Sequence, residues 1–168
     1  RTHIHALDIS RTPLMEMKET IGDIFRMEEG EGEVFTEQEF MQKELYTLRL
    51  NYLKDHMKAI SITYTQLHTL DVPTLNSFTT LTHLTLAHNK LKAIPTQTHL
   101  YLPCLTYLDL SHNMLRSIHN IELCVNMQTL YVQGNRLESF EHSVNVLVAL
   151  QNSIVELDMS QNPVSFCN

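Results

Sequence analysis

Leu81-Thr82-His83-Leu84-Thr85-Leu86-Ala87-His88-Asn89-Lys90-Leu91 is written three more times along this chain, with variations. Leu105 to Leu115, Met127 to Leu137 and Ile154 to Val164 repeat its plan: apolar residues at positions 1, 4, 6 and 11, and asparagine at position 9. In the same register, Met57, Ile60, Ile62 and Leu67 form a further copy, as do Ile4, Leu7, Ile9 and Leu14, with Thr65 and Thr12 in place of the asparagine. Starts therefore fall at residues 4, 57, 81, 105, 127 and 154, and from 57 onward the steps are 24, 24, 22 and 27 residues. Self-similarity at such a period is the mark of a stacked-repeat architecture and outranks local signals.

The spacing 1, 4, 6 is neither helical nor a plain alternation. It suits a short strand at positions 3 to 5, with the chain turning inward on both sides and returning by another route. One copy cannot fold alone, because its few apolar side chains do not offset the entropy of ordering two dozen residues. Stacking does, since neighbours cover both faces and pair strand to strand. Asn89, Asn113, Asn135 and Asn162 are expected to point inward and to satisfy backbone groups of the turn after each strand. An unpaired buried amide is costly, so this column reads as structural and not catalytic.

The pattern resembles the leucine-rich repeat (LRR) family. The copy from Leu105 adds Ile118, Ile121 and Cys124 at positions 14, 17 and 20 before Met127 restarts the cycle. That is similar to the 22-residue intracellular subtype of phosphatase regulators, axonemal dynein light chains and a spliceosomal A-prime protein. The resemblance implies an α/β solenoid with a curved parallel sheet on the concave face and short helices, 3₁₀ turns and loops on the convex face. In the longer copy from Met127, the spacing of Phe140, Val144, Leu147 and Leu150 predicts a short convex helix near residues 143–151.

Residues 15–44 break the period. They hold ten carboxylates against three cations, which accounts for the whole net charge of −7. Their centre, Glu28-Glu29-Gly30-Glu31-Gly32-Glu33, has no apolar residue and reads as a loop. The insertion is either a solvated acidic face or a docking segment for a basic partner. Leu45, Leu48, Leu50 and Leu53 also read as a repeat start, yet Met57 follows 12 residues later. Residues 45–53 are therefore either a seventh strand with a tight return or a helix feeding the strand at Ile60. A strand begins within three residues of the start, and the cap that usually follows Asn162-Pro163-Val164 in the subtype is missing. A single LRR domain over 1–168, cut from a longer chain, is the expectation.

Cys104, Cys124 and Cys167 are odd in number, and the paired cysteine caps typical of extracellular LRR proteins are absent from the sequence, as is any Asn-x-Ser/Thr acceptor. No run approaches the roughly 18 apolar residues of a membrane span. A reducing, cytoplasmic location fits this usage, with a cytoskeletal or ciliary setting favoured by the resemblance and the nucleus as the alternative. No P-loop, nucleophile elbow or His-Glu-x-x-His occurs, and no cofactor is implied. His88 and His112 share position 8 of adjacent repeats, but two imidazoles do not close a zinc site. The 12 Lys and Arg are spread along the solenoid, whereas phosphate binding needs them clustered, so nucleic acid is not a direct ligand.

Positions 2, 3, 5, 7 and 8 of each copy are expected to face outward, and stacking turns them into columns. The columns combine tyrosines, histidines and acids with few cations. Tyr64, His83, His88, Tyr107, Asp109, His112 and Tyr131 are the candidate partner-binding patch, because tyrosine offers large amphipathic contact area at low entropic cost. An ordinary wetted face is the competing reading. The expected function is a non-enzymatic adaptor that holds a protein on its concave face. The alternatives are an A-prime-like subunit clasping an RNA-recognition-motif protein, and a targeting module of an enzyme or receptor whose other domains lie elsewhere.

Overall fold

The computed structural model describes residues 6–8, 54–139 and 141–163. Six three-residue strands follow one another: β1 (Ala6–Asp8), β2 (Ala59–Ser61), β3 (His83–Thr85), β4 (Tyr107–Asp109), β5 (Thr129–Tyr131) and β6 (Glu156–Asp158). They form one parallel sheet in sequence order. Each occupies positions 3 to 5 of its copy, and the register pairs like with like: Ile60, Leu84, Leu108, Leu130 and Leu157 lie abreast. The acidic insertion 15–44 and the ambiguous stretch 45–53 lie outside the described residues. β1 pairs directly with β2, and residues 54–56, just before Met57, are helical.

The strands are short because the side chains at positions 1, 4, 6 and 11 must all reach the same interior. Leu81, Leu84 and Leu91, then Leu105, Leu108 and Leu115, then Met127, Leu130, Val132 and Leu137 are fully buried. The return paths complete this core with Val72 and Leu75, Leu100 and Leu102, Ile118, Ile121 and Cys124, and Val146 and Leu150. Among the described residues, two later return paths also contain helices, α1 (Val72–Asn76) and α2 (Glu141–Leu150). Asp71 caps α1, its Oδ1 accepting from the Thr74 amide at 3.2 Å, and Pro73 sits where an amide donor is not needed. α2 starts two residues earlier than the predicted helix, and its buried stripe is Ser143, Val146 and Leu150, with Val144 and Leu147 half-buried. The buried stripe is thus rotated by one residue from the predicted one, with Leu150 common to both.

Asn89, Asn113 and Asn135 are buried as expected and Asn162 is half-buried, and the column is tied across repeats. Asn113 Oδ1 accepts from the Leu91 amide at 3.1 Å, and its Nδ2 donates to the carbonyls of Leu86 and Leu110 at 3.0 Å each. Asn135 does the same to Leu115, Leu110 and Val132, and Asn162 to Leu137, Val132 and Met159. Asn89 accepts from Thr65 through both its amide and its hydroxyl, so the threonine that replaces asparagine becomes a donor to the next one. Every amide thus satisfies backbone groups in its own turn and in the repeat before it.

Position 7 departs from expectation. Ala87 and Ser111 are buried, not outward-facing. The backbone turns at position 8, where Tyr64, His88, His112 and Gln161 have φ of 57°, 56°, 52° and 54°, and Gly134 has 66°. The left-handed conformation at position 8 leaves Thr63 and Gln133 half-buried and Ser160 exposed, so it does not by itself bury position 7. It is uncommon for residues other than glycine, and its recurrence shows that the turn geometry belongs to the repeat and not to any one residue.

Candidate functional site

Strand alternation places positions 3 and 5 on the sheet face opposite the core. The register aligns His83, Tyr107, Thr129 and Glu156 in one row, and Thr85, Asp109, Tyr131 and Asp158 in the next. Position 8 adds a third row at the strand ends. The seven candidate residues therefore all lie along the same side of the sheet, in two groups.

The first group is a ladder of rings. Tyr64 stacks on His88 with centroids 4.3 Å apart and planes 9° from parallel, and His88 stacks on His112 at 4.4 Å and 10°. The spacing matches the separation of adjacent strands, about 4.8 Å, so the rings are stacked by the sheet beneath them. The amide of His88 donates to the Ser111 carbonyl at 3.0 Å and that of His112 to Gln133 at 2.8 Å, which fixes each ring's starting point. Desolvation under its neighbours, reinforced by His112 and opposed by Asp109, holds His88 below the ordinary imidazole pKa. Among the described residues no group of three His, Cys, Asp or Glu is placed to share a metal ion.

The second group follows position 3 and crosses to position 5. His83 stacks on Tyr107 at 5.5 Å, and Tyr107 meets Tyr131 edge-on at 5.7 Å and 88°. The Tyr131 hydroxyl donates to Glu156 Oε1 at 2.6 Å, a bond that raises its pKa to about 12. Burial, then Asp109 and Glu156, push the Tyr107 phenol up. Asp109 Oδ1 accepts from the Ser111 amide at 2.9 Å, and Asp158 Oδ1 from the Ser160 amide at 2.9 Å, so both carboxylates are fixed in the turn that follows their strand. That contact, with the Ser160 hydroxyl, lowers the Asp158 pKa.

Glu156, Asp158 and Gly134 are parts of this face that residue type alone did not bring forward. Glu156 is diagonal to Tyr131 across β5 and β6, a neighbour relation that carries interaction energy in sheets. Gly134 is the one position-8 residue without a side chain between His112 and Gln161. Away from the sheet, Glu122 lies 3.6 Å from His99 Nδ1 and 3.8 Å from His119 Nδ1, contacts that become ion pairs when the imidazoles are protonated.

A parallel sheet of identical registers, an asparagine ladder and a face of stacked rings define a repeat solenoid. Residues 55–115 and 79–137 match the family model described as leucine rich repeat. The 55–137 array is a leucine-rich repeat array, and such domains generally mediate protein–protein interaction and are typically not enzymes. Comparison with curated proteins gave no match. No helix among the described residues is long and apolar enough to cross a membrane.

Proposed function

We propose that this chain is a non-enzymatic adaptor that holds a partner protein against the face of its sheet, with Tyr64, His83, His88, Tyr107, Asp109, His112 and Tyr131 as the contact patch. The observation that carries this reading is the continuity of rings across the face, from His83 through Tyr107 to Tyr131. Rings held by neighbours lose little entropy on binding, and aromatic residues dominate the energetics of protein interfaces. A concave shape for that face is what the resemblance to leucine-rich repeat proteins implies.

The setting we favour is an intracellular assembly, cytoskeletal or axonemal first. What supports it is the 22-residue copy from Leu105, whose Ile118, Ile121 and Cys124 are all buried in its return path, as the intracellular subtype would require. The test is affinity capture from native cells with wild type beside a Tyr107→Ala/Tyr131→Ala double variant. A defined partner captured by the first and lost by the second supports the adaptor reading. A partner retained by the variant moves the binding site away from this face, and the absence of any stoichiometric partner removes the adaptor reading altogether.

A further inference from the structure

We propose that the β4–β6 half of the sheet face docks a basic partner segment, receiving an arginine or lysine side chain against the Tyr107–Tyr131 ring pair and the carboxylates beside it. The inference rests on the sheet-face reading above and deepens it by naming the partner's chemistry.

Three adjacent strands contribute six outward places, and the register fills them with Tyr107, Asp109, Thr129, Tyr131, Glu156 and Asp158. Five of the six are rings or carboxylates, within strand spacings of about 4.8 Å. The carboxylates are held in place: Asp109 and Asp158 by the amides of Ser111 and Ser160, and Glu156 by the Tyr131 hydroxyl. Charge fixed before binding adds affinity with little ordering cost. Burial first, and then the charges of Asp109 and Glu156, push the Tyr107 phenol up.

The cations of 54–163 stand elsewhere. Lys58 is at position 2, Lys90 and Arg136 at position 10, Lys92 and Arg116 at position 12, and Lys54 precedes β2. None occupies position 3, 5 or 8 of any copy in this stretch. A guanidinium or ammonium is attracted both by a tyrosine face and by a neighbouring carboxylate, while an anionic segment meets like charge throughout. The edge-on contact of Tyr107 and Tyr131 sets two ring planes at right angles, giving a cation two orientations of aromatic surface in one place.

The test is an NMR titration of the full chain with a deca-arginine peptide and, separately, deca-glutamate. The expected result is amide shifts from deca-arginine concentrated on β4, β5 and β6, weakened by added salt, and none there from deca-glutamate. In D109N/E156Q/D158N, where each amide keeps an acceptor oxygen, affinity should fall about tenfold or more, equivalent to about 1.4 kcal/mol. Shifts that map outside these strands in the wild type, including onto the acidic residues 15–44, overturn the proposal even if the triple variant does not fold. So does deca-arginine binding that survives in a folded triple variant. A native partner lost by Tyr107→Ala/Tyr131→Ala yet retained by D109N/E156Q/D158N would sink the cation proposal and leave the adaptor reading standing. A partner retained by both variants sinks both.

Discussion

The imidazole of His112 lies over the α-carbon of Gly134, so close that a β-carbon there would meet Nδ1 at 2.5 Å and Cε1 at 2.9 Å. The glycine is doubly constrained, since its φ of +66° is also one that side chains resist. Gly134→Ala is expected to cost about 2 kcal/mol, from backbone strain and from displacement of the ring. Urea denaturation in a His112→Ala background separates the two: the glycine substitution should then cost less, because only the strain remains. An equal cost in both backgrounds would mean that the ring yields freely.

Asn113→Ala leaves the Leu91 amide without its acceptor in the core and takes one of two amide donors from each of the Leu86 and Leu110 carbonyls, which keep Asn89 and Asn135, and should destabilise the array by on the order of 2 kcal/mol. Asn113→Asp should be no better, because a carboxylate cannot donate to Leu86 and Leu110. Asn162, half-buried beyond β6, should be the mildest site of the column. Equilibrium denaturation of the four alanine variants checks this order.

His88 titrates below its ordinary value of 6.5 in the folded protein, through desolvation first and His112 second, against Asp109. The unfolded chain therefore takes up this proton at a higher pH than the folded one. The resulting stability is full above 6.5 and is lost as pH falls through the folded value. His88→Asn, a residue that tolerates the left-handed turn, should flatten that acid slope in thermal melts recorded at stepped pH. An unchanged slope would place its origin in other groups.

Tyr131 holds its proton to about 12 because its hydroxyl donates to Glu156. Glu156→Gln removes the charge but keeps an acceptor, and should bring the phenol down toward about 10, the ordinary tyrosine value. Absorbance or NMR titration at alkaline pH reads this shift directly. No movement would show that the 2.6 Å contact is not kept in solution.

Thiol reactivity should divide the cysteines by depth. Cys104 is exposed, whereas Cys124 is buried, donates to the Leu100 carbonyl at 3.4 Å and has its pKa pushed up to about 11 by burial. With Cys167→Ser in place, a thiol reagent at neutral pH should label Cys104 promptly and Cys124 only on unfolding. Two fast thiols in native protein would contradict the packing of this repeat.

Much of this architecture was legible in the sequence, for a mechanical reason. Leucine spacing fixes where the chain must turn inward, so strands at positions 3 to 5 follow, and they occur at residues 59–61, 83–85, 107–109, 129–131 and 156–158. Asparagine at position 9 announces its own hydrogen bonds for the same reason. What escaped lies in the geometry between those anchors. Tyr64 carries no composition signal for a left-handed turn, and nothing in residue type separates the buried Ala87 and Ser111 at position 7 from Ser160, which is exposed there. Tyr131 and Glu156 are 25 residues apart and diagonal across strands, a relation visible only once register is known. The face of α2 shifted by one residue, because Val144 and Leu147 compete with Val146 for the same core and helical spacing alone does not decide among them.

The asparagine bonds all reach backward, from Asn113 to Leu86 and Leu91, from Asn135 to Leu110 and Leu115, and from Asn162 to Val132 and Leu137. A ribosome makes this protein in the opposite sense, amino end first. Each emerging coil must wait, its amides open to water, until the asparagine of the next has been translated. Folding on the ribosome therefore trails synthesis by one repeat, and a pause within any repeat holds the one before it unfinished.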